Sequence, residues 1–177
     1  MNVPLDDPLD VRLRTGRPDD AVRLAAVFVS AWRRSYPGVV PEKSLRRLDA
    51  KEIATWLQTL LGSSASTTTV PESDDHELLG FCRYGEDPND GRNGHVFSRY
   101  VSPSASNRGI GRRLLAHALE NLERRRLDPV TLWVFERNEL AGRLYDSFGF
   151  SPDGARRVAP EYGAEEIRLR VVAKSVP

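Results

Sequence analysis

The sequence predicts an α/β domain: a mixed, mostly antiparallel sheet of about six to seven strands, with helices on both faces. Three observations carry that prediction. Hydrophobic periodicity runs in the order strand, helices, three strands, helix, strand, helix, two strands. Within that order, the strand–helix–strand unit across residues 95–136 demands one parallel pair, because a helical crossover returns the chain in the same direction. Finally, residues 11–177 show no internal repeat and no interdomain linker, and a chain of 177 residues suits a single core.

Each element follows from its residues. Val11 to Thr15 alternates apolar and basic side chains, as a strand does. Pro18-Asp19-Asp20 opens a helix with a proline and acids in its first turn, and its apolar face uses Val22, Ala25, Val27, Phe28 and Ala31. A short helix is predicted over Pro41 to Leu48. Another runs from about Lys51 to Leu61 and buries Ile53, Trp56, Leu57, Leu60 and Leu61. Thr67 to Val70 and Glu77 to Gly85 read as two hairpin strands, Glu86 to Gly94 as a turn-rich loop, and His95 to Val101 as the next strand. Ile110, Leu114, Leu115, Ala118, Leu119 and Leu122 give the central helix, about Arg108 to Arg126, its apolar stripe. Val130 to Glu136 is a strongly apolar strand; Asn138 to Phe148 is a shorter helix stopped by Gly149. A weak strand after Ser151 and a stronger one over Glu166 to Val172 complete the sheet.

Composition narrows the function. Hydrophobic residues at 40% and charged residues at 29% make an ordinary globular mixture. The net charge of +1 gives no global argument for nucleic acid, and no apolar run approaches a membrane span. Residues 1–10 carry two prolines and three aspartates without a basic or apolar leader, and read as a flexible tail. Cys82 is the only cysteine, so no internal disulfide forms, and a reducing cytoplasm fits. It reads as a small core residue. His76 and His117 have no metal-ligand company, so no metal is expected.

The chemistry concentrates at Ser106-Asn107-Arg108-Gly109-Ile110-Gly111-Arg112-Arg113-Leu114-Leu115. Gly109 and Gly111 at a helix start allow close backbone approach and leave several N–H groups facing a ligand. Those donors, with the positive end of the helix dipole, suit a phosphate or pyrophosphate.

These residues resemble the GNAT superfamily of acetyl-CoA-dependent N-acetyltransferases, from about Val11 to Val172. Val101-Ser102-Pro103, Gly109-Ile110-Gly111 and Leu114-Leu115 are similar to the family's pyrophosphate loop, R/Q-x-x-G-x-G/A. Leu132-Trp133-Val134, Asn138, Ala141, Tyr145 and Gly149-Phe150 resemble the strand and helix that flank the pantetheine arm and thioester. The resemblance implies a CoA site formed by Tyr100, Val101, Asn107, Arg108, Gly109, Ile110, Gly111, Arg112 and Asn138. One departure stands out: Ser106 replaces the usual Arg or Gln, leaving Arg108 or Arg112 as substitutes.

Acetyl transfer needs a neutral amine, and neutralising an ammonium of pKa about 10.4 at pH 7 costs about 4–5 kcal/mol. A general base shares that burden. The resemblance offers His95, where many members carry a glutamate, with Glu136 as the competing carboxylate. It also implies an oxyanion donor on the backbone near Tyr100 or Val101. Tyr145 matches the family's tyrosine that protonates the departing thiolate. Trp32 and Tyr36, four apart on the first helix, would wall the acceptor pocket, and a homodimer is the family-level expectation. The implied activity is acetyl transfer from acetyl-CoA to a primary amine, on a small molecule or peptide, in a ternary complex.

Two other readings remain at this point. One is a non-catalytic acetyl-CoA-binding or sensing domain that kept the fold and lost turnover. The other is a dinucleotide-binding oxidoreductase domain, weakened by Leu114 at the third glycine position and by the separation of Val101 from Gly109.

Overall fold

All the strand patterns join one sheet in the computed structural model, which describes residues 11–172. The seven-stranded sheet has the order β1 (Val11–Thr15), β2 (Ser66–Ser73), β3 (Gly80–Asp87), β4 (Asp90–Val101), β5 (Val130–Phe135), β7 (Glu165–Val171) and β6 (Ser151–Val158). Every neighbouring pair is antiparallel except β4–β5. That one parallel pair is the one the crossover demanded. A dinucleotide-binding fold needs a mostly parallel sheet, so that reading falls.

Helices cover both faces. On one side lie α1 (Ala21–Ser35), α2 (Glu42–Arg46) and α3 (Ala50–Leu61), over a core of Leu24, Phe28, Trp32, Leu57, Val70 and Phe81. On the other lie α4 (Ile110–Arg124) and α5 (Glu139–Asp146), over Cys82, Val96, Leu114, Leu115, Leu122 and Leu132. Strand periodicity feeds both cores, since Phe81 and Cys82 are neighbours on β3 yet belong to opposite faces. Cys82 is the buried core residue its surroundings predicted, and burial pushes its thiol up to about 12.

Local chemistry sets the helix starts. A short 3-10 turn at Pro18–Asp20 leads into α1, and Asp20 Oδ2 accepts from the Arg17 N–H at 2.8 Å. Asp20 is buried and answers two cations, Arg14 at 2.7 Å and Arg23 at 2.8 Å. Asp49 caps α3 by accepting from the N–H groups of Lys51 and Glu52 at 2.7 and 3.1 Å.

Sequence expectations need correction at the loop and at two helix faces. The turn-rich loop over 86–94 is a hairpin: pairing continues to Asp87 opposite Asp90, with Pro88 and Asn89 as the connection. Its exposed polar residues carry no apolar alternation, so periodicity missed the strand. Val22 and Trp56, assigned to buried faces, are 73% and 43% exposed. A helical stripe predicts a face, and the partner surface decides how wide the buried part is. The tail expected at residues 1–10 lies outside the described residues.

Candidate active site

Strands β4 and β5 run together only from Gly94–Val130 to Val96–Leu132. Beyond Val96 they part, because β5 stays paired to β7 along its whole length while β4 stays with β3. The gap is a cleft of about 1050 Å³ whose walls include Val96 to Val101 on one side and Trp133 to Phe135 on the other. That exceeds what a small amine alone requires. At the point of parting, Arg83 pairs with Ser98 and Tyr84 with Val96, which leaves Phe97 as an extra residue on β4. A bulge of this kind breaks the ladder and turns backbone groups away from the neighbouring strand.

One end of the cleft is the loop before α4. Asn107 and Gly109 both have positive φ, 62° and 77°, so the chain coils tightly around Arg108. Asparagine and glycine are the residues that tolerate this region. Gly109 is the N-cap, with no side-chain cap and no acid in the first turn. The first helical bond is Arg113 N–H to Gly109 C=O, so the N–H groups from Asn107 to Arg112 have no acceptor among the described residues. Donors aimed together at a dipole's positive end form an anion site. The glycines serve different ends. Gly109 supplies the positive φ, whereas a Cβ on Gly111 would lie 2.4 Å from Arg99 Nη1.

The proposed replacements for the missing Arg or Gln divide. Arg112 lines the cleft but turns back to donate to Ser147 Oγ at 2.8 Å, with its guanidinium over the Phe148 ring. Arg108 is exposed, forms no ion pair among the described residues, and does not line the cleft. Ser106 sits at the rim, donating to the Ser102 carbonyl at 3.3 Å.

Deeper in, α5 contributes Asn138 and Tyr145. Asn138 caps the helix, its Oδ1 accepting from the Ala141 N–H at 3.2 Å, and its side chain also borders the cleft. Tyr145 is buried against Phe150 and still lines the cleft. The far end is aromatic. Trp32 stacks on Phe28 with ring centroids 5.3 Å apart and meets Tyr36 at 4.6 Å and Tyr162 at 4.4 Å. Trp32 and Tyr36 both border the cleft beside Tyr100, Phe135 and Tyr162, and Trp32, 1% exposed, is also part of the core.

His95 and Glu136 do not line it. His95 is 7% exposed and sits below the bulge, with Nδ1 2.7 Å from Thr131 Oγ1. Thr131 Oγ1 donates to Asp87 Oδ2 at 2.8 Å. Its single proton is thus spent, and His95 Nδ1–H must be the donor to it. This chain ties β4, β5 and β3 together. Burial pushes the imidazole down to about 4; Asp87 opposes that shift, and Arg157, Arg168 and Arg83 add to it. Glu136 pairs with Arg156 on β6. Position therefore speaks against either as the amine's base. Among the described residues, the carboxylates that do face the cleft are Glu161, exposed and without an ion pair there, and Glu166, paired to Arg157 at 2.7 Å.

Sequence reasoning missed Ser98, Arg99, Glu161, Tyr162 and Glu166. For Arg99 a signal existed: a charge between Phe97 and Tyr100-Val101, late in a central strand. Among the described residues, the buried side-chain polar atoms without a partner are Trp32 Nε1, Ser98 Oγ and Arg99 Nε, and all three residues border the cleft. Buried polar atoms are normally satisfied, so three such atoms on one cleft stand out. No cluster of residues able to hold a metal occurs among the described residues. No helix there is long and apolar enough to cross a membrane.

The chain is similar to proteins of one family. Residues 26–150 match the acetyltransferase (GNAT) family. The uncharacterised N-acetyltransferase YuaI of Bacillus subtilis is 26% identical over 130 residues, covering 72% of this chain and 73% of that protein. A mycothiol acetyltransferase of Tsukamurella paurometabola is 34% identical over 150 residues, covering 82% of this chain; the chain spans 49% of that enzyme. Among solved structures, the PaiA N-acetyltransferase of Thermoplasma acidophilum, in complex with coenzyme A, superposes with a TM-score of 0.76 at 16% identity, covering 92% of this chain and 99% of that one. The parted strands, the unbonded amides before α4 and the family match agree: the chain belongs to the GNAT acetyltransferase family and is an acetyl-CoA-dependent acyltransferase.

Proposed function

We propose that the protein moves the acetyl group of acetyl-CoA onto a primary amine by direct transfer in a ternary complex. The observation that carries this reading is the cleft itself. Unbonded amides from Asn107 to Arg112 stand at one end, Tyr145 in the middle, and aromatic rings with two carboxylates at the other. The diphosphate of the carrier takes the amides, and its pantetheine arm runs between β4 and β5 beside Asn138, with Tyr100 and Val101 along the β4 wall. Backbone N–H groups near the bulge at Phe97 hold the oxyanion of the tetrahedral intermediate. Tyr145 protonates the leaving sulfur.

The acceptor enters from the opposite end, past Trp32, Tyr36 and Tyr162. Glu161 and Glu166, rather than His95 or Glu136, draw the cationic amine and take its proton, directly or through water. The rings add affinity for an ammonium group. A small molecule or a flexible peptide end fits such a site, and the relative named for mycothiol supports a small acceptor. The lone buried Cys82 fits a reducing cytoplasm.

The test is acetyl transfer across a panel of amines, read as release of free CoA with a thiol reagent. Cys82 is buried and its thiol is pushed up to about 12, so the protein gives no background. Amine-dependent CoA release is expected. Tight acetyl-CoA binding with no turnover on any amine would leave a binding or sensing domain instead.

A further inference from the structure

Arg99 sits midway along the cleft wall, its side chain hydrogen-bonded to Tyr145. Its Nε is fully enclosed and has no partner, and it forms no ion pair among the described residues. Its neighbours are neutral or positive. The guanidinium carbon lies 5.5 Å from the centre of the Tyr145 ring, and Nη1 lies against the backbone of Gly111 at the positive end of α4. Burial works against its charge, and Tyr145, through its dipole and a hydrogen bond, together with Cys82 and Tyr36, favours it. A partly buried cation facing a helix N-terminus, with no anion among the described residues, is a costly arrangement. It becomes favourable when an anion arrives between them.

We propose that Arg99 is a catalytic residue that stabilises the thiolate expelled from the acetyl donor, acting beside Tyr145. The inference rests on the acyl-transfer reading above. The amine nitrogen attacks the acetyl carbonyl carbon and a C–N bond forms. As the tetrahedral intermediate collapses, the C–S bond breaks and its electron pair stays on sulfur. Tyr145 gives its proton to that sulfur, and the phenolate recovers a proton from the ammonium formed on the acceptor. A fixed guanidinium at the point where sulfur becomes negative lowers the barrier to C–S cleavage, as an oxyanion donor does at a carbonyl. It also eases the phenol's brief ionisation. The second glycine of the loop, Gly111, then serves to leave room for this cation rather than for the carrier alone.

The diphosphate is the rival anion, and the experiment separates the two. The thiol of CoA bound to the wild-type protein is titrated by thiolate ultraviolet absorbance, where Cys82, pushed up to about 12, stays silent. The bound thiol should titrate at least about one pH unit below that of free CoA, a tenfold preference for the thiolate. A bound thiol titrating at or above the free value overturns the proposal. Absence of CoA binding would instead strike at the acyl-transfer reading.

Steady-state rates then compare wild type, Arg99→Lys and Arg99→Met with acetyl-CoA and with S-acetylpantetheine, which has no diphosphate. Arg99→Met should lower kcat about a hundredfold for both donors, with Arg99→Lys recovering part of the loss. A loss confined to acetyl-CoA would put Arg99 on the diphosphate and refute the thiolate role. If Arg99→Met fails to fold, the wild-type titration and the lysine variant still decide.

Discussion

His95 should make the protein acid-sensitive without making it catalytic. In the unfolded chain its imidazole titrates near its ordinary value of about 6.5, while in the fold burial holds it down to about 4. The folded value lies below the unfolded one, so between those two pH values the unfolded chain binds the extra proton. Stability attributable to His95 is therefore complete above about pH 6.5 and is lost as pH falls toward 4. At about 1.36 kcal/mol for each pH unit, that displacement is worth roughly 3 kcal/mol, a large fraction of a domain's stability. The other strongly placed acid, Asp20, is held down to about 2 and yields in a lower range.

The assay is urea unfolding at half-unit steps from pH 7.5 to 4.0, on the wild type and on His95→Leu. The variant loses the bond to Thr131 and starts less stable, yet its stability should fall by much less over the same range. Parallel curves for the two proteins would refute the buried, neutral assignment. Because His95 lies outside the cleft, its replacement should also leave the pH dependence of kcat/KM unmoved. A missing limb in that profile would restore it as the base.

Other consequences follow from the same geometry. Tyr145→Phe should lower kcat by about a hundredfold or more while calorimetric CoA affinity stays within a few-fold of wild type. Unchanged turnover would remove the phenol as the acid. Gly109→Val forces a β-branched residue to a φ of 77° and should abolish measurable CoA binding, which equilibrium titration would show. Asp20→Ala removes the buried carboxylate that Arg14 and Arg23 share, although Arg14 keeps Glu72 and Arg23 is half exposed, and should cost about 1–3 kcal/mol in chemical denaturation, with no change in KM for the donor.

Much of this molecule was legible from spacing. Period-two alternation located β1, and helical stripes located α1, α3 and α4, because those elements bury one continuous face. The crossover between β4 and β5 fixed the only parallel pair in the described sheet before any coordinates. The glycine pair marked the loop, although sequence could not say that Gly109 answers a backbone need and Gly111 a neighbouring guanidinium. Contacts made across the sheet were not legible. Strand order brings Thr131 and Asp87 to His95 and converts an expected base into a buried link. The same topology turns Glu136 toward Arg156 and brings Glu166, from the last strand, to face the cleft. Trp56 misled because an amphipathic stripe does not show where a core ends and a cleft mouth begins.

The most direct test is a crystal structure with CoA bound. The account predicts phosphate oxygens on the N–H groups between Asn107 and Arg112, the pantetheine arm between β4 and β5, and sulfur beside Tyr145. A diphosphate held elsewhere, or an arm that leaves the parted strands empty, would contradict it.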